Sequence, residues 1–161
     1  MAKVLIVFYS RSGNTEKMAH FVAEGARKSG AEVVVKSVKD TDVDELREAD
    51  GIILGSPTYY GTMAAEIKRL LDDSVKFHGA LTGKVGGAFS SSANPGGGNE
   101  TTVMDMLKAL LIHGMIIPGN ANGDHYGPIA VGAPDKRSAA QCRQMGNILG
   151  DLTMRLHSGT S

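Results

Sequence analysis

Cysteine is nearly missing from this chain. Cys142 is the single one, so no disulfide forms within the chain, and neither a CxxC pair nor a Cys/His zinc spacing is present. An iron–sulfur cluster held by this chain is excluded for the same reason. Tryptophan is absent altogether. So is any excess charge: 17 Lys plus Arg balance 17 Asp plus Glu, for a formal net charge of zero. A neutral chain has no global field drawing it to nucleic acid or to an anionic membrane. No apolar run is long enough to span a bilayer. Met1-Ala2-Lys3, followed at once by a strand-like run, is not a secretory leader. These absences predict a cytoplasmic protein with no nucleic-acid partner and no membrane insertion. The sequon Asn99-Glu100-Thr101 is then a chance match.

What is present is an alternation of two patterns. The chain has 161 residues, the size of one well-filled domain, and residues 1–161 read as a single domain without linker or repeat. Val4-Leu5-Ile6-Val7-Phe8 is a continuous apolar run, the mark of a strand buried on both faces. Met18, Phe21, Val22 and Gly25 then recur at helical spacing. Val33-Val34-Val35, diluted by Lys36 and Ser37, suits a strand nearer an edge. Residues 40–50 are acidic and predict a short helix with a solvated face. Ile52-Ile53-Leu54 reads as a third strand, residues 85–89 as a fourth, and Met115-Ile116-Ile117 as a fifth. Helices marked by Met63 to Leu71, by Val103 to Leu111 and by Cys142 to Leu156 separate or follow them, and a polar loop is expected over residues 119–134. Such a succession predicts an α/β fold: a doubly wound, five-stranded parallel sheet in the order 2-1-3-4-5.

In that architecture the ligand sits beyond the carboxyl ends of the strands, at the switch point between the first and third. The loops after strands one, three and four should line it, and these are the stretches richest in Gly, Ser, Thr, Asn and Pro. The first, Ser10-Arg11-Ser12-Gly13-Asn14-Thr15, offers hydroxyls, a side-chain amide and backbone N–H groups at a helix N-terminus. Such an end carries about half a positive charge and can hold a terminal phosphate without a lysine. Ser12 or Asn14 could alternatively cap the helix, but one cap needs one such residue. Arg11 either faces solvent or reaches a second phosphate. Other phosphate chemistries are excluded by missing motifs: there is no GxxxxGK[ST] and no GxGxxG after the first strand. No GxSxG elbow exists, and Tyr9-Ser10 stands where a receiver domain needs acids.

Residues 8–15, Phe8-Tyr9-Ser10-Arg11-Ser12-Gly13-Asn14-Thr15, resemble the flavodoxin phosphate-binding loop. Gly55-Ser56-Pro57-Thr58-Tyr59-Tyr60-Gly61-Thr62-Met63 resembles the corresponding loop of WrbA-type NAD(P)H:quinone oxidoreductases. Phe89-Ser90-Ser91-Ser92 with Gly96-Gly97-Gly98-Asn99-Glu100 resembles their second flavin loop, and His113-Gly114-Met115 the approach to their fifth strand. The resemblance implies FMN as cofactor and NAD(P)H as co-substrate. It implies that residues 10–15 bind the phosphate. Pro57, Thr58, Tyr59, Tyr60 and Gly61 would border the ring, and Ser91, Ser92, Ala93, Asn94, Gly96 and Gly97 would wrap its pyrimidine end. The chain lacks the long insertion those proteins carry before the third strand, and it lacks their tryptophan, for which Phe77 is the nearest substitute by position. A homo-oligomer, dimer or tetramer, is expected.

Two functions compete. One is an FMN-dependent enzyme that accepts hydride from NAD(P)H and reduces a quinone or similar acceptor. The other is a flavodoxin-type electron carrier with no small-molecule substrate. A hydride donor must stack on one open ring face. Tyr59 and Tyr60 lie in one flavin loop, and residues 90–100 contain no aromatic, which favours the enzyme. Zero net charge points the same way, since such carriers are usually strongly acidic. His125 and Tyr126, in the loop after the fifth strand, are candidates for substrate contact or proton relay. His113 ends the helix that starts at the second flavin loop, so it could reach only a neighbouring subunit's flavin. His20, His78 and His157 receive no role, and no metal is expected.

Overall fold

Six residues, Lys3–Phe8, form the first strand, β1, and its side chains alternate between two cores. Leu5 and Val7 enter one core; Val4, Ile6 and Phe8 enter the other. Period-two alternation with apolar residues on both faces requires cover on both sides of the sheet. In the computed structural model, which describes residues 1–157 and 159, that cover comes from helices on both faces. Ser158, Thr160 and Ser161, at the end of the expected domain, lie outside the described residues.

The elements in order are β1, α1 (Asn14–Arg27), β2 (Glu32–Ser37), α2 (Glu45–Glu48), β3 (Gly51–Tyr59), β4 (Thr62–Met63), α3 (Ala65–Asp73), β5 (Val85–Ser92), α4 (Asn99–Ile112), β6 (Ile129–Val131) and α5 (Lys136–His157). The main sheet runs β2-β1-β3-β5-β6, with β4 hydrogen-bonded to β3. All its neighbouring strands are parallel; β4 alone is antiparallel. Counted without the short β4, this is the doubly wound order expected from the sequence. Ile67, Leu70, Met106 and Leu110 of α3 and α4 fill one core. Met18, Val22, Cys142 and Leu149 of α1 and α5 fill the other. Burial pushes the Cys142 thiol up to about 12, so it packs as a small apolar side chain.

Three strand assignments differ from the sequence reading. β3 and β5 run on past Leu54 and Phe89, so Pro57 to Tyr59 and Ser90 to Ser92 are strand residues. Pro57 pairs in register with Ser91. The fifth strand is broken in two. Ile116 makes an isolated bridge to Val85, while Ile129, Ala130 and Val131 pair with Ser90, Ser91 and Ser92. Residues 118–128 leave the sheet between these pieces. Pro118 and Pro128 stand at the two ends of the excursion, and proline has no N–H to give a ladder.

Candidate functional site

The carboxyl ends of β1, β3 and β5 open into a cleft of about 510 Å³, lined by Arg11, Ser12, Asn14, Thr15, Pro57, Thr58, Tyr59, Ser91, Ser92, Ala93 and Gly132. Its size lies in the range of ligand pockets. Ten of these residues are candidates named from the sequence. Gly132 was missed; it follows β6, and its N–H donates to Ser92 O at 2.7 Å. The broken fifth strand is what carries it to the cleft.

One wall of the cleft is the start of α1. Its N-cap is Gly13, at φ 91°, and no side chain caps the helix. Glycine is suited to this left-handed turn. Ser10 Oγ accepts the Gly13 N–H at 3.1 Å, so Ser10 shapes the loop from within while Ser12 and Asn14 face the cleft. The alternative of a simple capped helix start is thereby set aside. The same chain caps α5 fully: Asp135 Oδ1 accepts the Ser138 N–H and Ser138 Oγ accepts the Asp135 N–H, each at 2.8 Å. That is a reciprocal capping box. The start of α1 has no such box, and its first N–H groups are left without a side-chain partner.

The floor is a mesh of hydroxyls. Thr15 Oγ1 and Ser91 Oγ lie 3.0 Å apart, tying α1 to β5. Thr58 Oγ1 and Ser90 Oγ lie 3.0 Å apart, tying β3 to β5. Ser92 Oγ donates to Asn94 O at 2.9 Å and accepts from Asn99 Nδ2 at 3.0 Å, which closes the turn after β5. Asn94, Gly96 and Gly97 sit in this turn and on its far side; they shape the loop without lining the cleft.

The opposite wall is the β3–β4 hairpin. Thr58 pairs with Met63 and Tyr59 with Thr62, so Tyr60 and Gly61 form a two-residue turn. Both have positive φ, 49° and 81°, as a type I′ hairpin requires. Tyr60 is fully exposed at the tip. Tyr59 faces the cleft and meets Tyr9 edge-on, with ring centroids 6.2 Å apart. Burial, then the neighbouring Tyr9, raises the Tyr59 hydroxyl above its usual range, against a smaller lowering by Arg11.

The three candidate catalytic residues stand elsewhere. His125 and Tyr126 line a separate cavity against Gly86, Gly87 and α5, beside the Arg137–Asp124 ion pair. Four residues of strand, roughly 13 Å at the usual rise, separate Gly87 from Ser91. The ring of His125 is engaged through Nδ1 with Asn120 O at 2.8 Å. His113 is buried at the far end of α4, 6% exposed, after 14 helical residues, or roughly 20 Å. Its Nε2 lies 2.7 Å from Ser74 Oγ, whose own proton goes to Leu71 O at 2.6 Å. Nε2 must therefore carry the hydrogen, and Nδ1 is left buried without a partner. Burial, then His78, lowers the His113 pKa from 6.5. Among the described residues no helix is long and apolar enough to cross a membrane, and no three His, Cys, Asp or Glu side chains gather as a metal site.

Sheet order and cleft position together define a flavodoxin-like domain. The flavodoxin family model matches residues 6–111, and the chain belongs to the flavodoxin family, as a flavodoxin-like flavoprotein of the oxidoreductase class. It is 34% identical to an NAD(P)H dehydrogenase (quinone) of Archaeoglobus fulgidus, over 97% of this chain and 100% of that protein. It is 39% identical to a flavodoxin of Aquifex aeolicus, over 94% of this chain and 86% of that one. Among solved structures, a WrbA-like flavodoxin from Agrobacterium tumefaciens superposes with a TM-score of 0.82 at 25% identity, covering 97% of this chain and 99% of the other.

Proposed function

We propose that this chain is an FMN-dependent oxidoreductase that takes electrons from NAD(P)H and passes them to a quinone or a similar small acceptor. The residues present fit a flavin monophosphate. A phosphate monoester carries close to two negative charges near neutral pH, and α1 begins without a side-chain cap beside Ser12, Asn14 and Thr15. Residues 10–15 would hold the phosphate, with Arg11 at the mouth. Residues 57–61 would border the ring on the hairpin side, and Ser91, Ser92 and Ala93 on the β5 side, in a loop shaped by Asn94, Gly96 and Gly97. When bound, the flavin supplies the redox chemistry. The chain's own residues grip it, orient it and decide which side is open.

The observation that carries the enzyme reading is the inequality of the two walls. The hairpin offers Tyr59 and Tyr60; the turn after β5 offers no aromatic from Ser90 to Glu100. A nicotinamide or quinone must come within about 3–3.5 Å of the reacting atoms, which needs one uncovered face. The name of the Archaeoglobus fulgidus relative and the zero net charge support the same reading. The Aquifex aeolicus relative, a flavodoxin, favours a carrier instead.

Anaerobic mixing of the FMN-loaded protein with NADH or NADPH separates the two. The enzyme reading expects rapid loss of the flavin absorption band and its return when a quinone is added. No loss with either nucleotide favours the carrier. A homo-oligomer, dimer or tetramer, belongs to the proposal, supported by exposed Val75, Leu111, Ile112 and Ile116. His113, buried and paired with Ser74, has no free, exposed ring nitrogen with which to act on a neighbouring copy's cleft, so a catalytic role for it is not part of the proposal. Substrate contact by His125 or Tyr126 has its own test: unchanged quinone kinetics in a His125→Ala, Tyr126→Phe double variant removes it.

A further inference from the structure

The hairpin does not stand on its own two strands. It is fastened at three points to the first two turns of α4, by helix residues that do not line the cleft. Thr101 Oγ1 lies 2.9 Å from Gly61 O and 2.9 Å from Gly98 O, so its proton bridges the hairpin tip and the helix start. At the same place the two backbones touch: a Cβ on Gly98 would stand 2.9 Å from Gly61 Cα. One turn on, Thr62 Oγ1 donates to Asp105 Oδ2 at 2.7 Å. Lys108, then Thr62, holds that carboxyl below its usual range.

The third point reaches under the cleft. Ser90 Oγ donates to Ser56 O at 2.7 Å. A hydroxyl has one proton, so Thr58 donates to Ser90 Oγ and accepts in turn from Thr102 Oγ1, 3.2 Å away. The one proton of Thr102 is itself shared, 3.2 Å from Thr58 Oγ1 and 2.8 Å from Gly98 O, and this network of hydroxyls links α4 through the hairpin to β5. Thr102 is buried.

We propose that Thr101 and Thr102 are positioning residues: they set the height of the Tyr59–Tyr60–Gly61 turn over the cleft, and so govern the grip on the flavin ring without touching the grip on its phosphate. This rests on the FMN reading above. It divides the binding free energy between two places: the start of α1 for the phosphate, the start of α4, acting through the hairpin, for the ring.

The test compares FMN with riboflavin, which has the ring but no phosphate, on the full chain, by quenching of flavin fluorescence. Thr101→Val and Thr102→Val remove the hydroxyls and keep the volume. Each is expected to weaken FMN and riboflavin by the same factor, about five-fold for one hydrogen bond, leaving the ratio of the two affinities as in the wild type. Thr101→Ser, which restores the hydroxyl, is expected to restore both. Ser12→Ala is expected to weaken FMN alone. If the wild type binds both flavins and the valine variants match it, the proposal fails and the FMN reading stands. It fails equally if the valine variants change the FMN-to-riboflavin ratio, or if Thr101→Ser binds as poorly as Thr101→Val. A wild type that binds neither flavin overturns the FMN reading, and this proposal with it.

Discussion

Helices α1 and α5 lie against each other, yet they begin in opposite ways. α5 starts with a closed capping box between Asp135 and Ser138. α1 starts at Gly13 with no side-chain cap, although Ser12 and Asn14 stand beside it. A chain that caps one helix fully and leaves its neighbour bare, at the switch point of the sheet, leaves donors open to something other than itself. With glycine at the cap, the bare end forgoes roughly a few tenths of a kcal/mol relative to a good side-chain cap. The shared seam offsets it: Met18 and Val22 of α1 pack in one core with Cys142 and Leu149 of α5.

The largest effect of a single substitution is expected at that seam. The backbones meet at Gly146, where a Cβ would overlap Val22 O and Ala26 N. Gly146→Ala is expected to destabilise the protein by roughly 3 kcal/mol, read from urea unfolding. A neutral result would mean that α1 is not held by α5. Asn14→Asp comes next. A carboxylate at the start of α1 is expected to raise stability by a few tenths of a kcal/mol. Repulsion of the phosphate is expected to lower FMN affinity ten-fold or more, about 1.4 kcal/mol. Opposite signs for folding and binding sharpen the contrast; equal signs would abolish it. Asp135→Ala at the capped helix should behave differently, costing about 1 kcal/mol of stability with FMN affinity unchanged by fluorescence titration.

Much of this was legible in the chain. β1 declared itself because five apolar residues in a row can only be buried on both faces. The cleft declared itself because hydroxyl- and glycine-rich stretches fell after the first, third and fourth strands, where the fold puts its ligand. Pattern could not see pairing. Pro57, Thr58 and Ser90 to Ser92 read as loop because they are not apolar, yet Pro57 registers with Ser91, Thr58 with Met63, and Ser90 to Ser92 with β6, which keeps them in the sheet. The fifth strand read as one piece at Met115-Ile116-Ile117, since nothing in three apolar residues says how much of an eight-residue neighbour they cover. Pro118 and Pro128 were the available signal for the break, and with it for Gly132. The hydroxyl chain through Thr102 was invisible, because its members are far apart in sequence and joined only by the fold.

The smallest expected effect lies at the far end of α4. His113 is neutral there, with a hydrogen on Nε2 and nothing to receive one at Nδ1. Its pKa is lowered, chiefly by burial. A base with a lowered folded pKa binds its proton more readily when unfolded. Its contribution is therefore intact above the ordinary value of 6.5 and is lost as pH falls through that value toward the folded one. Thermal melts of the wild type should fall in this window more steeply than those of His113→Gln. Parallel curves would show that the buried ring carries no such penalty.

On the proposed function, the open start of α1 receives the phosphate of a flavin. The most direct measurement of that binding is the amide NMR spectrum of the full chain during titration with FMN and, separately, with riboflavin. FMN is expected to move the amides of Ser12, Gly13, Asn14 and Thr15 strongly, and riboflavin to leave them almost unmoved while shifting Tyr59 and Ser91. Amides at residues 12–15 that ignore FMN, or that respond equally to the flavin without a phosphate, would contradict it.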